Sequence, residues 1–147
     1  MKELHIAVGV AAITLFSIAG VFGAWCWWRV EPSVWFWRLL RVAQVTIVIQ
    51  AALGGLLLAT GKKASTLHIV YGLLPLAFSF IGEQFRVASA QTVLDQRGLE
   101  NAQAVGELPA AEQRGVVRAI VRRELGVMTL AALIIVVLLA RAASTAS

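Results

Sequence analysis

The chain holds two histidines, and each stands in the same six-residue frame, Leu-His-Ile-x-x-Gly: His5 in residues 4–9 and His68 in residues 67–72. In both frames a glycine, Gly9 or Gly72, follows the histidine by four residues. On a helix, position i+4 lies on the same face one turn along. Each imidazole is therefore followed by bare backbone, against which a flat macrocycle can lie. Imidazole is a standard axial ligand of haem iron, and two of them complete six-coordination. A second reading stands beside this one. Small residues also serve close helix packing in membranes, and a histidine at the edge of an apolar span can snorkel or bond to a neighbouring helix.

Other residues are candidates to complete such a site. Gly54 and Gly55 would let a second helix approach the ring edge, and Gln50 and Thr46 are polar within an apolar stretch, which favours the interior of a bundle. Lys62 and Lys63 precede His68 and can pair with haem propionates or anchor a helix end. Competing chemistries lack residues. No histidine–carboxylate cluster has metal-ligand spacing, and no nucleophile elbow or phosphate loop is present. Glu3 and His5 are two apart and share a helix face poorly. The single cysteine, Cys26, excludes an intramolecular disulfide and a thiolate metal cluster.

These residues sit in an apolar chain. Of 147 residues, 59% are apolar and only 14% charged, against about 25% charged in a soluble domain. A bilayer must serve as solvent for much of that surface. We expect an all-α fold, an integral membrane antiparallel four-helix bundle in one domain over residues 1–147, with spans of about 4–28, 34–60, 65–94 and 109–143. Backbone polar groups in lipid must be satisfied within each segment, which makes the spans helices. Pro32 and Ser33 mark the start of the second, Gly61 the stop of that helix and Ser65 the cap of the third. Short links make the first three neighbours antiparallel. Residues 83–94 can continue helix three, and Pro109 opens helix four well before its apolar run. Both helices then project beyond the membrane, joined by a hairpin loop from Gly98 to Gly106. The first apolar stretch is too long for a signal-peptide core.

Basic residues divide unequally. Lys2, Lys62, Lys63 and Arg141 fall on one side, and the other nine, all arginines, on the opposite side. The richer side is cytoplasmic by the positive-inside rule, so both termini and both histidines lie toward the outside of a bacterial or archaeal plasma membrane. All five tryptophans, at 25, 27, 28, 35 and 37, form a belt at the cytoplasmic interface. The net charge of +5 therefore serves lipid anchoring, and nucleic acid is not an expected partner. Arg114, Arg118 and Arg122 recur every four residues. That stripe suits anionic headgroups, a partner site, or a solvated helix face.

Gln50 to Gly61, reading Gln-Ala-Ala-Leu-Gly-Gly-Leu-Leu-Leu-Ala-Thr-Gly, followed seven residues on by His68, resembles the heme A synthase family. Each four-helix half there carries Gln-x-x-x-Gly-Gly ending in Thr-Gly, then a helix starting with a haem-ligating histidine. The other ligand starts the first helix of the half, as His5 does. The resemblance covers about residues 3–85 and implies a bis-histidine haem b site held by His5 and His68 toward the outer face. It also implies that a single half pairs with a second copy. The family's catalytic Glu-x-x-His-Arg is not matched, because Glu3-Leu4-His5-Ile6 sets the glutamate one residue too close and lacks the arginine. The family's outer-loop cysteine pair is also absent, since Cys26 falls on the cytoplasmic side. Two function classes follow. One is a membrane haem b protein in electron transfer or haem handling, partnered by lipid and by quinol or another membrane redox protein; oxidation of a haem methyl group is its enzymatic form. The other is a non-catalytic accessory or assembly subunit of a larger membrane complex, without its own cofactor.

Overall fold

The computed structural model describes residues 1–146. The helices are α1 (Lys2–Arg29), α2 (Val34–Ala59), α3 (Thr66–Gln96), α4 (Ala102–Gly106) and α5 (Ala110–Ser144), and there is no strand among the described residues. All of them except α4 are long and apolar enough to cross a membrane, the pattern of a multi-pass membrane protein. Their outward faces carry large apolar side chains such as Val10, Val21, Val45, Phe80 and Val137, a surface that suits lipid and not water.

Local sequence sets the boundaries. Ser65 caps α3 by accepting from the His68 backbone N–H at 3.2 Å, which fixes the first turn on which His68 rides. Gly61 (φ 83°) takes the left-handed turn that ends α2. Val30 takes the same role after α1 at φ 55°, a conformation that strains a β-branched residue by about 1–2 kcal/mol. Pro75 lies buried inside α3. It has no N–H to give the Tyr71 carbonyl, so the ladder is interrupted just beyond Gly72. The expected loop at 98–106 is half helical: α4 forms because Asn101 accepts from the Ala104 N–H at 3.0 Å. Val105 of α4 joins Val93, Leu94 and Val116 in a small second core.

Packing centres on α5. It lies along both α1 and α3, α1 lies along α2, and α2 and α3 touch only sparsely, which leaves a seam between them. The main core is built from α1, α2 and α5, with Phe16, Phe36, Leu40, Met128 and Ile135 fully enclosed. The α1–α5 seam is tight enough to require glycine. A Cβ on Gly23 would stand 2.5 Å from Thr129 Oγ1, and one on Gly126 2.9 Å from the Trp27 ring. Close backbone approach of this kind is how membrane helices gain dispersion energy without a hydrophobic drive between them.

Candidate functional site

The two histidines, 63 residues apart in sequence, meet. Their ring centroids are 6.1 Å apart with planes at 65°. The start of α3 is tied to the end of α5 by Ser65 Oγ donating to the Thr145 carbonyl at 2.8 Å and by His68 Nδ1–H donating to the Ala142 carbonyl at 2.8 Å. The end of α2 approaches the start of α1 through Gly54, where a Cβ would stand 3.2 Å from His5 Cε1. Both imidazoles are partly enclosed.

The bond to Ala142 fixes the His68 tautomer. With the proton on Nδ1, Nε2 carries a free lone pair. His5 is arranged differently. Its Nε2 lies 3.3 Å from the Gln50 carboxamide nitrogen, while its Nδ1 and Gln50 Oε1 are both buried without a partner. A carboxamide turned about its last bond offers Oε1 to a His5 Nε2–H instead. That arrangement satisfies the orphaned oxygen and leaves Nδ1 as a bare lone pair. In that arrangement His5 Nδ1 is an unpartnered nitrogen buried beside Gly54, on a ring whose other nitrogen is held by the protein, as second-shell bonds hold metal-ligating histidines.

The remaining predicted residues divide. Gly9 does not open a void: the Gln50 amide fills the space, 2.9 Å from where a Cβ would stand. Gly55 and Gly72 have nothing within 4 Å of that point and face open space. Thr46 spends its hydroxyl on the Val42 carbonyl of its own helix. Lys62 and Lys63 are exposed in the turn before α3, without a carboxylate partner among the described residues.

Two imidazoles could serve a group that needs only two ligands from the protein. No group of three or more histidine, cysteine or carboxylate side chains is placed to hold a metal among the described residues, and two imidazoles alone fall short of the four ligands a bare ion such as zinc takes. Haem brings four equatorial nitrogens and asks the protein for the axial two. With ring centroids 6.1 Å apart, His5 and His68 are the residues that would hold such a group between α1 and α3.

A second polar constellation lies toward the other end of the bundle and escaped the sequence reading. Arg41 of α2 donates to Glu83 of α3 at 2.6 Å and to Gln44 at 2.6 Å. Gln44 donates to the same carboxylate at 3.0 Å. Arg86 joins Glu83 at 3.1 Å to Glu124 of α5 at 3.2 Å, and its guanidinium lies 5.5 Å from the Trp37 ring centre. Two cations and two anions thus cancel across three helices at the depth of the tryptophans. The only sequence signal was the Glu83–Arg86 spacing of three at the end of an apolar run; the partners on α2 and α5 are set by packing.

Comparison of the chain with protein-family models, with curated proteins and with solved structures returns no match.

Proposed function

We propose that the chain is a membrane haem b protein resembling half of a heme A synthase, with His5 and His68 as axial ligands, acting in electron transfer or haem handling. The observation that carries this reading is the 6.1 Å separation of the two rings. In this reading the four long helices run alternately up and down, α3 and α5 extend into the cytoplasm, and both termini face outward. The meeting of the α1 and α3 starts with the α2 and α5 ends supports the up-and-down order, and the uneven division of lysine and arginine supports the sidedness. Haem, when bound, supplies reversible one-electron chemistry. The protein's own part is to hold two imidazoles at one depth, with Ala142 and Gln50 orienting them, and to leave space beside Gly55 and Gly72. Lys62 and Lys63, in the turn before His68, are the cations for propionates. The seam between α2 and α3 is the side from which a flat group or a second copy approaches. Quinol or another membrane redox protein is the partner class, and a homo-oligomer or a larger membrane complex is the setting.

Pyridine-haemochrome assay of the purified protein tests this. About one haem per chain is expected in the wild type or per pair of chains if the site is shared, with loss in His5→Ala and His68→Ala. Wild-type protein without haem after expression with haem precursors would reject it. A second reading has its own observation: each imidazole already bonds to the protein, one to Gln50 and one to Ala142. An accessory or assembly subunit would use those bonds to join helix ends and carry no cofactor. In that case the variants lower stability and leave no spectroscopic trace to lose.

A further inference from the structure

At the tryptophan-bearing end, α5 continues past the end of α1 and forms a step against the α1–α2 turn. A groove of about 320 Å³ occupies that step, lined by Val30 and Pro32 of the turn and by Arg114, Val117, Arg118 and Val121 of α5. Val30 and Pro32 follow Trp27 and Trp28 by only a few residues, so the floor of the groove sits at the level where tryptophan marks the headgroup layer. The two arginines are exposed and have no carboxylate partner among the described residues. Arg114 spends only Nε, donated to the Ala110 carbonyl at 3.2 Å. Of the acidic residues close in sequence, Glu31 lies 3.7 Å from Arg29, and Glu112 is two residues from Arg114 and so off its face.

We infer that this groove holds the headgroup of an anionic phospholipid. Arg114 and Arg118, one turn apart, provide two guanidinium forks for a phosphodiester. Val30, Val117 and Val121 cover the apolar carbons next to it. Arg41 and Arg86 are neutralised by Glu83 and Glu124, whereas Arg114 and Arg118 are left uncancelled beside an apolar groove, which makes this step an anion-seeking part of the interface. The site stands apart from the histidine pair and does not depend on haem.

Native mass spectrometry of the detergent-solubilised full chain tests it, with phosphatidylglycerol, phosphatidylcholine and water-soluble glycerol 3-phosphate as probes. One phosphatidylglycerol should be retained, with roughly tenfold or greater preference over phosphatidylcholine, since each headgroup-depth arginine adds severalfold to anionic-lipid affinity. The preference should vanish in the Arg114→Gln/Arg118→Gln double variant and in Val117→Glu. It should survive in Arg38→Gln, whose guanidinium lies 5.2 Å from the Trp35 ring centre and outside the groove. Equal retention of the two lipids, or an unchanged preference in the double variant, would overturn the assignment. Competition by glycerol 3-phosphate as strong as by the lipid would also overturn it and give the groove to a dissolved anion.

Discussion

His68 and His5 are held by different means, and the difference has consequences for chemistry. A backbone carbonyl on α5 fixes His68, and no side-chain substitution removes that acceptor. His5 depends on Gln50, a side chain on α2. In the haem account Gln50 is a positioning residue: it orients the ring and raises electron density at the ligating nitrogen. Gln50→Leu should therefore weaken haem retention by about tenfold or more and raise the midpoint potential, because the electron-richer ligand favours ferric iron. Redox titration of the variant reads this directly, and an unchanged potential would show that Gln50 only fills space. The histidines and their glycines were legible as a repeated frame. That Gln50 occupies the slot beside Gly9 was not, since which side chain enters a gap is decided by rotamers on another helix, 41 residues along the chain. The pairing of Arg41, Glu83, Arg86 and Glu124 was not legible for the same reason: it exists only after three helices pack.

The four spans were readable because lipid leaves few alternatives to a helix, and their ends follow Pro32, Gly61, Ser65 and Pro109 closely. Less readable was the depth of the α1–α5 seam. Gly23 and Gly126 carry no mark in sequence that separates a packing glycine from any other. Gly126→Ala should destabilise the bundle by about 1–3 kcal/mol, because the new methyl meets the rigid Trp27 ring at 2.9 Å. Gly55→Ala, which meets nothing within 4 Å, should be neutral in stability. Detergent or thermal unfolding of the two variants side by side checks the contrast. The short α4 was missed because five residues carry no periodicity, and only its Asn101 cap and the partners of Val105 make it a helix.

For the molecule as a whole, the uneven packing is the main fact. The core belongs to α1, α2 and α5, while α3 leans on α5 and leaves the seam against α2 open. Sequence periodicity says which stripe of each helix is apolar. It does not say which neighbour a helix prefers when every face is apolar, so this asymmetry was beyond it. The proposed orientation is tested by labelling single cysteines in a Cys26→Ser background with a membrane-impermeant thiol reagent on intact cells. Ser144→Cys should react and Gln103→Cys should not; the reverse pattern would invert the topology.

The central claim is that both imidazoles reach one iron. The absorption spectrum of the purified protein, reduced minus oxidised, tests it most directly. The account predicts the sharp α and β bands of a low-spin six-coordinate haem b, converted to a high-spin spectrum or lost on replacing either His5 or His68 by alanine. A featureless spectrum, or a low-spin signal that survives both substitutions, would contradict it.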